Sequence, residues 1–175
     1  MKKVINFPIK LLSVVLIVSF FVTCTPSTET KINLNTKATA MGPFFAGPNS
    51  LIAEYEVDLA TIEGLENVSA KQIKEVKVNS IKLNLANEEE LDLSDIYSAS
   101  LQIVSGNTEM QSIAIKNPIE SKGNELVMDV SSEVDLSEYL KGKQFSLVLD
   151  LDFAEDSFAE QIGAIIDLEL TVKHK

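Results

Sequence analysis

The sequence predicts an all-β fold: an antiparallel β-sandwich of about seven to eight strands with one short helix. Three observations lead there. Apolar and polar residues alternate with period two in seven stretches between Leu51 and Val172, as half-buried strands require. Short polar or glycine-bearing segments separate those stretches. No segment sustains the 3.6-residue apolar period of a long helix, so parallel strands joined by helical crossovers are not expected.

In chain order, Leu51, Ala53, Tyr55, Val57 and Leu59 share one strand face, with Glu54, Glu56 and Asp58 on the other. Val76 and Val78 open a second strand that Ile81, Leu83 and Leu85 continue in the opposite phase, so a β-bulge is expected at Asn79-Ser80. Tyr97, Ala99, Leu101 and Ile103 form a third inward row, ended by Ser105-Gly106-Asn107. Ile113 and Ile115 give a fourth, stopped by Asn117-Pro118, and Leu126, Met128 and Val130 a fifth. Phe145, Leu147, Leu149, Leu151 and Phe153 make the cleanest row, and Ile166, Leu168, Leu170 and Val172 the last. An eighth strand is possible near Ile32–Thr36. One helical turn fits Ser69–Lys74 with Ser69 as N-cap. A short helix fits Asp135–Gly142, with Asp135 capping, Glu138 three residues on as in a capping box, and Gly142 closing it. Leu136, Tyr139 and Leu140 share its apolar side, which would plug one end of the sandwich. In outline this resembles immunoglobulin-like modules, without their Cys…Trp…Cys core.

The first 23 residues read as an export signal. Lys2, Lys3 and Lys10 form a basic start, and Leu11 to Thr23 is apolar save for Ser13, Ser19 and Thr23. The run is shorter than the roughly 20 apolar residues that span a bilayer. Phe21-Val22-Thr23-Cys24, ending in the chain's one Cys, resembles the lipobox of bacterial lipoprotein signals. Phe21 and Thr23 depart from the commonest Leu and Gly/Ala there. The resemblance implies cleavage before Cys24, with lipid on its thiol and new amino terminus. Residues 24–38, rich in Thr, Ser, Asn and Lys, then read as a polar tether, and residues 39–175 as a single β-sandwich domain.

Charge and rare residue types narrow the function. The chain of 175 residues has 26 acids against 15 basic residues, all Lys, for a net charge of −11. Removal of residues 1–23 takes away Lys2, Lys3 and Lys10 and no acid, giving −14. Nucleic acid is therefore not an expected partner. One His and one Cys exclude His/Cys zinc clusters and a disulfide framework within the chain. The absence of Arg removes the bidentate clamp for phosphate or carboxylate.

Four places could carry chemistry or contact. Asp150, Asp152, Glu155, Asp156 and Glu160 offer the oxygen ligands Ca²⁺ takes, although the spacing is no EF-hand and Asp150 and Asp152 are outward strand positions. Glu88-Glu89-Glu90 with Asp92 and Asp95 forms an acidic turn that discourages edge pairing or docks a basic partner. The segment from Ala40 to Asn49 is apolar yet rich in Pro and Gly. Phe44 and Phe45 are adjacent in it and cannot both point inward from an extended chain; the expectation is that the loop folds over the sandwich edge and buries both rings, the alternative being that one of them is an exposed contact for a partner or ligand. His174 sits beside the chain end, poorly placed for a Ser–His–Asp triad, and no Ser lies in Gly-x-Ser-x-Gly. Tyr55 and Tyr97 are assigned to inward faces, leaving little aromatic platform for a glycan, and Asn67-Val68-Ser69 means little in a bacterial lipoprotein. The resulting expectation is a non-enzymatic, lipid-anchored interaction or assembly module without a cofactor. It would lie in the cell envelope, at the outer membrane and facing the periplasm. Its partners would be the membrane, through the lipid, and an envelope protein. The alternatives are a ligand- or calcium-binding envelope protein and a fimbrial or adhesin-type subunit.

Overall fold

The structure, a computed structural model, describes residues 26–86, 91–106 and 108–175. Cys24, the export signal and Glu88-Glu89-Glu90 lie outside the described residues. Nine antiparallel strands are described: β1 Thr28–Met41, β2 Gly47–Glu56, β3 Ile73–Leu85, β4 Ile96–Ser105, β5 Thr108–Lys116, β6 Glu125–Val127, β7 Asp129–Val130, β8 Gln144–Phe153 and β9 Gln161–His174. One helix, α1 (Ser137–Lys141), precedes β8. The expected all-β, antiparallel class with one short helix is the class observed.

The pairing is nested. β1 pairs with β9 over its whole length, from Thr28↔His174 to Met41↔Gln161. β2 pairs with β8, β3 with β6 and β4 with β5. This long folded ribbon then winds on itself, so that β3 lies beside β9, β4 beside β8 and β7 beside β5. The strand order is β6-β3-β9-β1-β2-β8-β4-β5-β7, the double Greek key of a jelly roll, and differs from the immunoglobulin-like outline.

Both side seams of the two faces are joined. At one, β1 and β2 pair only at Thr39↔Ile52. At the other, β6 and β7 are the two halves of a single extended run on either side of Met128, one half on β3 and the other on β5. Met128 is buried, and its N–H donates to the Ile81 carbonyl at 3.0 Å. The body is thus a flattened, nearly closed barrel rather than two separate sheets.

The core fills the space between β6-β3-β9-β1 and β2-β8-β4-β5. Phe145, Leu147, Leu149, Leu151 and Phe153 from β8 meet Ile162, Ala164, Ile166, Leu168, Leu170 and Val172 from β9, all buried. The bulge expected in β3 is present: Val78 opposes Leu170 and Ser80 opposes Glu169, which leaves Asn79 as the extra residue. Its amide donates to Thr171 Oγ1 at 2.9 Å, and both halves of the strand face the core. Below, Leu136, Tyr139 and Leu140 of the α1 region plug the barrel as expected, and the Tyr139 hydroxyl donates to the Glu109 carbonyl at 2.6 Å. Asp135 accepts from Ser137 N and also from Val76 N, so it ties the helix start to β3. Glu138 makes no capping box and instead pairs with Lys141. The turn Ala70–Gln72 does carry a capping box between Ser69 and Gln72.

Three expectations are corrected. Residues 28–38 are not tether but most of β1: Ile32, Leu34 and Ala38 are buried while Lys31, Asn33, Asn35 and Lys37 face solvent. Small and polar inward residues hid that alternation in the composition. Tyr97 is not inward but 62% exposed. A register shift between Ile96 and Ser98 turns it out and puts Ile96 in the core. A second shift in β5 buries both Ile113 and Ala114 and leaves Ile115 exposed.

Leu149, fully buried at the middle of β8, is the severest single test of this packing. Leu149→Ala is expected to cost about 2–5 kcal/mol, read as a lowered urea midpoint with an unchanged slope.

Candidate functional site

The end of the barrel opposite α1 gathers the ends of β1 and β8 and the starts of β2, β4 and β9. Two loops cross there, residues 42–46 and 154–160. Gly42 N donates to the Glu160 carbonyl (2.9 Å), and Phe44 and Ser157 exchange backbone hydrogen bonds of 2.9 and 2.8 Å. The carboxylate of Asp156 accepts from Ala46 N at 2.9 Å. A Cβ on Gly42 would sit 2.1 Å from the Ala159 carbonyl oxygen, so the close crossing requires glycine at this position. A third loop joins through Ala154 N, which donates to the Asp95 carbonyl at 2.8 Å.

The expectation that both phenylalanines are buried is corrected: the crossing divides them, as an extended chain must. Phe44 turns inward to 3% exposure and packs on Phe153, with ring centroids 6.0 Å apart. Phe45 turns outward at 62% exposure. The facing loop adds Phe158 at 84%, and the end of β1 adds Met41 at 73%. Beside Phe158 lies a cleft of about 480 Å³, lined by Leu91, Asp95, Phe153, Glu155, Asp156 and Phe158 among others. The apolar Phe44-Phe45 loop and the acidic loop after β8, 110 residues apart at the Ala46–Asp156 bond, form one site.

The carboxylates singled out for calcium are dispersed. Asp150 faces outward from β8 and accepts from the Ser50 hydroxyl on β2 and the Gln102 amide on β4. Asp152 projects from the same strand face, Glu155 is exposed, and Asp156 is occupied with Ala46. Among the described residues no three His, Cys, Asp or Glu side chains converge to hold a metal ion. His174 lies at the far end of β9, its Nε2 2.9 Å from Thr30 Oγ1.

Asp92 organises the third loop. Its carboxylate accepts from the Ser94 N–H (2.8 Å), the Ser94 hydroxyl (2.7 Å) and the Gly123 N–H (2.9 Å). Those hydrogen bonds, the Ser94 amide first, hold its pKa below the ordinary aspartate value. Sequence reasoning missed Leu91 and Phe158 as parts of this end. An aromatic within a polar loop belongs to no period-two pattern, and only its lone position in Ala154-Glu155-Asp156-Ser157-Phe158 could have marked it.

No family model matches this sequence, and no curated protein matches it. Among solved structures, one of Desmodium yellow mottle tymovirus aligns over 99% of this chain and 95% of its own, at 7% identity and a TM-score of 0.31. One of empty-head turnip yellow mosaic virus aligns over 99% and 90%, at 10% identity and a TM-score of 0.26. Likeness at that level carries no argument about this protein.

Two outcomes are expected here. Phe44→Ala should cost about 3–5 kcal/mol, whereas Phe158→Ser should stay within about 0.5 kcal/mol, both by chemical denaturation. Because Asp92 is held as the carboxylate, its contribution is full above the ordinary aspartate pKa of about 3.9 and is lost as pH falls through its lower folded-state value. Asp92→Asn should therefore melt below the parent at pH 6, with the gap closing toward pH 2.

Proposed function

We propose that this chain is a lipid-anchored, non-enzymatic protein of the cell envelope, held through Cys24, whose barrel presents its aromatic loop end to an envelope partner. The observation that carries the reading is the place where the barrel begins. β1 starts at Thr28, four residues after Cys24, and runs to Met41 beside the crossed loops. Four residues reach at most about 14 Å, so an acylated Cys24 would keep the α1 end close to the lipid headgroups. The fourteen residues of β1, at about 3.3 Å each, would then place Met41, Phe45 and Phe158 on the far side of the domain.

The chain's acidic balance fits that orientation, since a surface of net charge −14 after removal of residues 1–23 is repelled by anionic headgroups and gains membrane affinity from acyl chains alone. Among the described residues no helix is long and apolar enough to cross a membrane. An outer-membrane position facing the periplasm is the orientation we favour, because Thr25-Pro26-Ser27-Thr28-Glu29 holds a single acid where, in some Gram-negative lineages, a run of acids directly after the Cys marks export to the cell surface. The calcium alternative draws nothing from the dispersed carboxylates. The fimbrial alternative relies on strand donation into an open sheet edge, whereas here β6 and β7 bring both sheet ends together.

Cys24→Ala should move the protein from the membrane pellet to the soluble fraction on cell lysis, with mass spectrometry of the wild-type amino terminus showing acyl groups on Cys24. Retention of the variant in the pellet would sink the anchoring claim.

A further inference from the structure

The cleft at the loop end sets an exposed aromatic rim beside negative walls. Leu91 and Phe153 are buried at its base, Phe158 stands almost fully exposed at its rim, and Asp95, Glu155 and Asp156 line it. No lysine lines it. The ion pairs among the described residues join Lys31 to Glu169, Lys77 to Glu75, Lys116 to Asp129 and Lys141 to Glu138. None of them involves these three acids. Asp156 is engaged by Ala46 N and Asp95 by Asp92 N, two neutral backbone donors that leave both charges uncompensated. Negative charges beside an exposed aromatic ring attract a group that is cationic at its tip and apolar along its stem.

We infer that this cleft docks a basic, apolar segment of a partner protein, with a lysine or arginine reaching Asp95 and Glu155 and an apolar side chain packing on Phe158. The Phe158 ring also offers its face to the cation. The net charge, −14 once residues 1–23 are removed, steers such a partner toward the domain from a distance, and the exposed ring limits where it settles. This rests on the proposed role as a partner-binding envelope module and names the chemistry of that partner.

The test is fluorescence anisotropy of two labelled peptides, Lys-Leu-Lys-Phe-Lys and Glu-Leu-Glu-Phe-Glu. They are titrated with the full chain in non-ionic detergent, with empty micelles as the reference. The lysine peptide should saturate and the glutamate peptide should not. Phe158→Ser should weaken binding about tenfold, which is about 1.4 kcal/mol. Glu155→Gln should weaken it several-fold, with a smaller salt dependence than the parent. Glu54→Gln, on the outward face of β2, should leave it unchanged. Equal binding of both peptides, or lysine-peptide binding that ignores Phe158→Ser and Glu155→Gln, overturns the inference. Because binding in detergent does not need the anchor, such a failure leaves the Cys24 fractionation result standing, and the reverse also holds.

Discussion

The ladder between β1 and β9 is the interaction on which the rest of the molecule depends. Fourteen residue pairs join the first strand to the last, and β9 passes the order on to β3 along its other edge. At its upper end the ladder continues into the Gly42–Glu160 hydrogen bond, which sets the two crossed loops against each other. At its lower end Thr30 meets His174, which fixes the start of β1 beside the end of β9. A change that shortened this ladder would loosen the seam at Thr39↔Ile52, because β1 has no other extensive partner. The loop crossing would loosen with it.

Much of the fold was legible in the residues because burial on one face imposes a period of two. The rows of β8 and β9 and the bulge at Asn79 could be read directly, since each inward place holds a large apolar side chain. Tyr97 and Ile115 were misplaced for the converse reason: a bulge adds one residue, and nothing in a run of apolar neighbours says where it falls. β1 was mostly hidden by its small inward residues, Thr36, Ala38 and Ala40, which look like a solvated segment until β9 is laid beside them. Strand order was not legible, as alternation assigns faces and never neighbours. The site was legible in pieces. That an extended chain cannot turn both Phe44 and Phe45 inward followed from local geometry, whereas the meeting of their loop with Asp156 depends on the β1–β9 and β2–β8 registers.

The acids of this chain do three separate jobs. Asp92 and Asp135 are structural acceptors, each receiving backbone N–H groups that would otherwise lack partners at a loop or helix start. Asp150 and Asp167 belong to polar cross-strand contacts on the two outer faces, with Ser50 and Gln102 on one and Asn35 on the other. Asp95, Glu155 and Asp156 line the cleft beside the exposed Phe158. Charge counting treats them alike, but among the acids named here the last group stands next to exposed aromatic surface.

Nested pairing also has a consequence for the order in which the molecule can be made. Among the described strands β1 leaves the ribosome well before its partner β9, and Thr28 waits for His174. Until β9 is delivered, β1 can pair with β2 at one register point. Stable closure therefore waits for β9, and non-local pairing of this kind is slow. A chain made only part-way would carry an unpaired strand with Ile32 and Leu34 uncovered, a surface that invites aggregation or a holding chaperone.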